Sequence, residues 1–168
     1  MFHAFDNDGP NRPPLRPTWM ALLARAPLPL LEQYLAPHLS NQSQWLRRPE
    51  TGLMMVQGRA GGTGERFNLG EITVTRCTLR LGDAAGNTPV GVAYVLGRSH
   101  RHAQLAATAD ALLQDPQRHE ELETSLLDAI RQFLKAQHTQ RQQRAQSTRV
   151  DFLTMAREAS GDNAEEQE

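Results

Sequence analysis

The spacing of apolar residues changes character twice along this chain. Between Pro17 and Pro37 it is helical: Trp19, Leu22, Leu23 and Ala26 form one stripe and Leu30, Leu31, Tyr34 and Leu35 a second. Pro27 and Pro29 interrupt the run and Pro37 closes it, which predicts a bent pair of short helices placed to cap a sheet, with Trp19 and Tyr34 as packing residues. From Thr51 to Arg98 the pattern is that of strands. Three runs rich in Val, Ile, Leu, Met, Thr and Tyr are separated by glycine-rich breaks at Gly61 to Gly64 and Gly82 to Asn87, predicting an antiparallel meander. Trp45 to Glu50 reads as the approach to it, with Pro49 holding Arg48 extended.

Each strand carries its own expectation. The first, Leu53 to Gly58, is apolar at successive positions, which predicts cover on both faces. The second, Leu69 to Leu81, changes phase: Ile72 and Val74 share one face, Cys77, Leu79 and Leu81 the other. A bulge near Thr75 or Arg76, or a change in what covers each face, accounts for this. The third, Val90 to Leu96, puts Val90, Val92, Tyr94 and Leu96 on one side and Gly91, Ala93 and Val95 on the other, a smooth face for a closely packed helix.

Helical spacing then returns. Ser99 is the expected N-cap of a helix with His102, Leu105, Ala106, Ala109, Leu112 and Leu113 on one stripe, and Asp115-Pro116 its stop. A longer helix carries Leu122, Leu126, Leu127, Ile130, Phe133 and Leu134, and its continuation from Gln137 to Gln146 has no apolar face, so it ends in solvent or on a partner. Beyond it Val150, Phe152, Leu153 and Met155 form an apolar island, expected to dock on a sheet edge or another subunit. The fold class predicted is α+β: an antiparallel β-meander of about three to four strands flanked by N-terminal and C-terminal helices. Residues 17–158 form one domain, with the docking segment at 148–158, after a flexible proline-bearing arm (1–16) and before a disordered acidic tail (159–168).

Charge and cysteine usage narrow the function classes. Eighteen basic against 19 acidic residues leave a net charge of −1, so no global attraction to nucleic acid or anionic lipid is expected. Cys77 is the sole cysteine, which excludes an internal disulfide and a cysteine metal cluster within one chain. The sequence has neither a membrane-length apolar run nor a signal-peptide profile, and the expected location is the cytoplasm.

The candidate chemistry lies in the first glycine-rich break. Gly61, Gly62, Thr63 and Gly64 could form a nest of backbone N–H groups for an anion, although the stretch is neither a P-loop nor a dinucleotide fingerprint. Arg59, Arg66, Asn68, Glu71, Thr75, Arg76, Tyr94 and Arg98 are expected to gather at one end of the sheet, where arginine forks suit phosphate or phosphonate oxygens. The competing reading is a structural hairpin with a solvated rim. A catalytic pair of carboxylates is not evident, Glu71 suits a salt bridge better than general-base work, and His100 and His102, two apart, do not fit a helical metal pair. No metal is expected. His102 reads as a capping or packing residue and Cys77 as a buried small hydrophobe.

Five segments in order, RPTWMALLARA, RPETGLMMVQGRAGGTG, FNLGEITVTRCTLRL, GVAYVLGRSHRHAQLAATADALL and TRVDFLTM, resemble the PhnG family, the G subunits of the carbon–phosphorus lyase core complex, over roughly Arg16 to Met155. The resemblance implies a bacterial cytosolic protein of organic phosphonate catabolism that works with H, I and J subunits. With an L-type partner, the family takes part in joining methylphosphonate to the ribose of ATP, releasing adenine and giving alpha-D-ribose 1-methylphosphonate 5-triphosphate. It implies no cofactor bound by this chain alone, ATP as substrate of the complex, and a non-autonomous subunit inactive by itself. Two roles follow for this chain: ligand contact through Arg59, Gly61 to Gly64 and Arg66, or assembly alone.

Overall fold

The three strand runs form one antiparallel sheet in the order β1 (Ser43–Arg59), β2 (Arg66–Leu81), β3 (Val90–Leu96). This is a computed structural model, and it describes residues 16–39, 43–82 and 89–148. The predicted proline-bearing arm, the docking segment with Val150, Phe152, Leu153 and Met155, and the acidic tail lie outside the described residues, apart from Arg16 and Thr148 at their inner edges.

β3 begins and ends where its alternation predicts. β1 starts ten residues earlier than Leu53, so Trp45 to Glu50 is strand and not approach, with Trp45 opposite Leu79. Pro49 is tolerated because β1 is an edge strand, and shifts in register between Trp45 and Arg47 and between Arg47 and Glu50 absorb the extra residues. A bulge does lie near Arg76, but in β1: the shift between Arg47 and Glu50 stands across from Thr78 and Arg76, while β2 pairs with β3 without a shift from Val74 to Arg80. The change in cover explains the phase change instead. Cys77 and Leu79 face the helical layer, whereas Ile72 and Val74 belong to the opposite face, on which no described helix packs.

That helical layer is built on α3 (His100–Leu113). Ser99 caps it as predicted, its hydroxyl oxygen accepting from the His102 amide at 3.2 Å. Ala103 and every residue from Leu105 to Leu113 are buried, because the helix is enclosed on two sides. One side meets the smooth face of β3, where an added Cβ on Gly91 would overlap the Ala107 carbonyl oxygen. The other is covered by α1 (Arg16–Leu23) and α2 (Leu28–Leu35), so this bent pair packs chiefly on α3 and reaches the sheet at its edge, where Arg16 Nη2 donates to the Val90 carbonyl at 3.1 Å. Trp19 is 4% exposed and Tyr34 packs against the core, as expected of both.

Asp115-Pro116 ends α3 by starting another helix: the Asp115 carboxylate accepts from the Gln117 amide at 3.0 Å and caps α4 (Pro116–Leu122). A wide turn over Glu123–Leu127, of the π type, joins α4 to α5 (Asp128–Ser147). Leu122, Leu126, Leu127 and Ile130 are buried as predicted, but the turn shifts the phase and Phe133 emerges 42% exposed. α5 is exposed from His138 to Ser147.

The central tie of the fold is Asp110, with none of its surface exposed. It accepts from Arg16 Nε and Nη2 at 3.1 and 2.7 Å, from Trp19 Nε1 at 2.9 Å and from the Val92 amide at 2.9 Å, joining α1, α3 and β3. Cys77 is fully buried and burial pushes its thiol up to about 12. Native protein at pH 8 should therefore resist iodoacetamide and take up one label only when unfolded. Stoichiometric labelling of the folded chain, read by mass spectrometry, would contradict this.

Candidate functional site

β3 ends opposite Val74, but β1 and β2 continue to Arg59 and Arg66. Residues 52–59 and 66–73 thus form a two-stranded arm of roughly 25 Å, at about 3.3 Å per residue, beyond the helix-covered sheet. The expectation that Leu53 to Gly58 is covered on both faces fails among the described residues. Leu53, Met54 and Met55 are 66, 46 and 48% exposed because the third strand and α3 stop short of them.

Directly opposed residues share a face, so the register sorts the arm's side chains. Met54 lies opposite Ile72, Gly52 opposite Val74 and Gly58 opposite Phe67. Leu69, the extra residue at the shift between Val56 and Gln57, lies over Gly58 on this face. The face turned away from the α3 side therefore carries Met54, Val56, Phe67, Leu69, Ile72 and Val74 and no charge. The other face is mixed: Leu53 and Met55 alternate with Gln57 and Arg59, across from Thr73, Glu71, Asn68 and Arg66.

At the tip Arg59 and Arg66 are directly opposed. Gly61 and Gly62 take left-handed φ values of 59° and 80°, which only glycine adopts without strain, and this folds the turn back on Ala60. The Thr63 and Gly64 amides both donate to the Ala60 carbonyl, the latter at 2.9 Å, so two N–H groups of the expected nest close the turn. Arg59 Nη1 donates to the Gly64 carbonyl at 3.1 Å, and Arg66 has no partner among the described residues. Asn68 Oδ1 accepts from Gln57 Nε2 at 3.2 Å, and Glu71 is exposed opposite Met55.

The expected gathering of polar residues divides in two. Arg59, Thr63, Arg66 and Asn68 cluster at the tip, whereas Arg76 is ten residues along β2 from Arg66, roughly 33 Å in an extended strand. Arg76 Nε donates to Glu50 Oε1 at 2.6 Å, and Arg47 reaches the same oxygen at 3.0 Å. The hydrogen bond from Arg76, then the charges of Arg76 and Arg47, hold the exposed Glu50 carboxyl below its usual range. Arg76 is thus engaged at the arm's root.

The root also links Thr75 and His100, both named from the sequence, through Thr51, a connection the sequence reading did not foresee. Thr75, fully buried, donates its hydroxyl proton to the Gly97 carbonyl at 2.7 Å. Its oxygen can then only accept from Thr51 at 3.0 Å, and Thr51 in turn accepts from His100 Nε2 at 3.1 Å. His100 is therefore a donor here and no base for a threonine nucleophile. His102 Nε2 donates to the Leu23 carbonyl at 2.8 Å, on the α1 side, so the two histidines do not converge. Among the described residues no group of three or more His, Cys, Asp or Glu could hold a metal, and no helix is long and apolar enough to cross a membrane.

Among the described residues the arrangement offers cations and an apolar ribbon, without an acid and base at reacting distance. The chain matches, over residues 15–158, the family described as phosphonate metabolism protein PhnG. It is 42% identical over 112 residues to the alpha-D-ribose 1-methylphosphonate 5-triphosphate synthase subunit PhnG of Rhizobium meliloti (strain 1021), covering 67% of this chain and 69% of that protein. The matched family region spans the arm, its tip and the helical layer together, and the chain belongs to the PhnG family of phosphonate metabolism proteins.

Proposed function

We propose that this chain is a non-autonomous subunit of an alpha-D-ribose 1-methylphosphonate 5-triphosphate synthase in organic phosphonate catabolism. It works in the cytoplasm with H-, I- and J-type subunits and an L-type partner, and binds no cofactor by itself. The complex joins methylphosphonate to the ribose of ATP and releases adenine. The contribution of this chain is to hold triphosphate or phosphonate oxygens while a partner subunit activates the anomeric carbon. One observation carries this reading: two guanidinium groups, Arg59 and Arg66, stand opposed at the end of an exposed arm, where like charges repel unless an anion sits between them. Fixed donors of this kind stabilise developing charge without a nucleophile on the same chain.

A second reading, assembly alone, is favoured by the Thr63 and Gly64 amides, which are spent on Ala60. Alanine at both Arg59 and Arg66 separates the two. In the assembled complex, the ligand reading expects adenine release to fall about a hundred-fold or more, the loss of charge-stabilising donors, with assembly intact. Unchanged turnover leaves the assembly reading standing.

A further inference from the structure

We infer that the cleft between the start of β1 and the first turn of α3 is an anion site in its own right, shaped for a phosphoryl or phosphonyl group. Trp45, Arg48, Pro49, His100, Arg101 and Gln104 line it around a volume of about 360 Å³, within the range of small-molecule sites. Arg48 is eleven residues along β1 from Arg59, roughly 36 Å in an extended strand, so the cleft is separate from the arm's tip. The inference does not depend on the role given to the tip arginines.

The bulge in β1 builds one wall. Arg47 stands across from Thr78 and Glu50 from Arg76, so Arg48 and Pro49 together face the single residue Cys77, whose side is the one that α3 covers. A bulge of this kind re-aims a side chain, and here it brings a guanidinium group to the start of α3. The other wall is the beginning of that helix, where His100 and Arg101 lie four and three residues before Gln104 and share its side. Buried Thr75 holds Thr51, and Thr51 holds the His100 imidazole, so the ring is fixed before any ligand arrives.

Charge selects the ligand. The lining carries two guanidinium groups and an imidazole but no carboxylate among the described residues. Glu32 accepts from Arg101 Nε at 3.2 Å and offsets part of that charge, while Glu50, next in the chain to Pro49, is bound by Arg76 and Arg47 on the opposite face of the sheet. Arg48 has no partner among the described residues. A phosphoryl or phosphonyl group presents three oxygens to such a set of donors, and a carboxylate only two. Trp45 and Pro49 close the cleft with apolar surface, beside which these donors hold an anion more strongly than in open water.

The test uses the full chain carrying Arg59→Ala and Arg66→Ala, so that binding at the tip does not enter. Trp45 lies in the cleft, and the other tryptophan, Trp19, is buried against Asp110, so intrinsic fluorescence reports on this place. Titration with inorganic phosphate, methylphosphonate and ATP should give a saturable response to at least one of them. The tightest of the three identifies the source of the group, and each supports the site. Arg48→Ala should weaken that binding about ten-fold or more, as when one charged hydrogen-bonding partner is lost, and Arg48→Lys should weaken it less. Thermal melting checks that each variant keeps its fold. No saturable response to any of the three overturns the inference. So does equal affinity in the folded Arg48→Ala chain, and so does acetate that displaces phosphate at equal concentration, because the cleft then takes carboxylates. The adenine-release assay of the tip arginines is read separately, and either result there leaves this one unchanged.

Discussion

Asp110→Ala is expected to cost about 3–5 kcal/mol of folding free energy, the range for leaving one side of a buried ion pair uncompensated. Truncation takes the acceptor from Arg16, from the Trp19 indole and from the Val92 amide at one stroke, and water cannot readily replace an acceptor that is fully enclosed. Calorimetry should show a melting temperature lower by on the order of 10 °C. Asp110→Asn keeps the shape and one acceptor oxygen and should fall between alanine and the parent. An alanine variant that melts with the parent would mean that the three elements are held by packing alone.

Gly91→Ala is expected to cost about 3 kcal/mol, at the upper end for overpacking. The obstacle is not a side chain that can turn aside: the new methyl would meet the Ala107 carbonyl oxygen and, at 2.9 Å, the Ala111 methyl. Relief requires α3 to lift from β3, which loosens the face made by Ala93 and Val95. Urea denaturation should show a lower midpoint with an unchanged slope. Gly52→Ala is the natural comparison, since a methyl there meets nothing within 4 Å, and it should be close to neutral. Equal midpoints for the two variants would refute the close approach of helix and sheet.

The sequence made Gly91 legible, because a strand alternating Val90, Val92, Tyr94 and Leu96 with Gly91, Ala93 and Val95 has one face too small for anything but a helix backbone. Ser99 was equally plain. The cover of the first strand was not, because apolar residues on successive positions are the same string whether other elements bury both faces or the strand leaves the core. Pairing to β3, which stops at Val74, decides between them, and no local pattern reports where a neighbouring strand ends. Asp110 could have been found: one acid within AATADALL, on a helix otherwise apolar, calls for buried donors, and Arg16 and Trp19 were available. The tip residues Arg59 and Arg66 were readable as a pair from their positions about the glycine turn. Their distance from Arg76 was not, since it depends on the hairpin staying extended.

An arm that leaves its apolar side bare has a cost for any copy of the chain that stays alone in water. Chains made in surplus would meet one another first, ribbon to ribbon and edge to edge, and enter aggregates or the quality-control machinery. The length by which two strands outrun the third thus sets how much apolar surface a surplus chain carries.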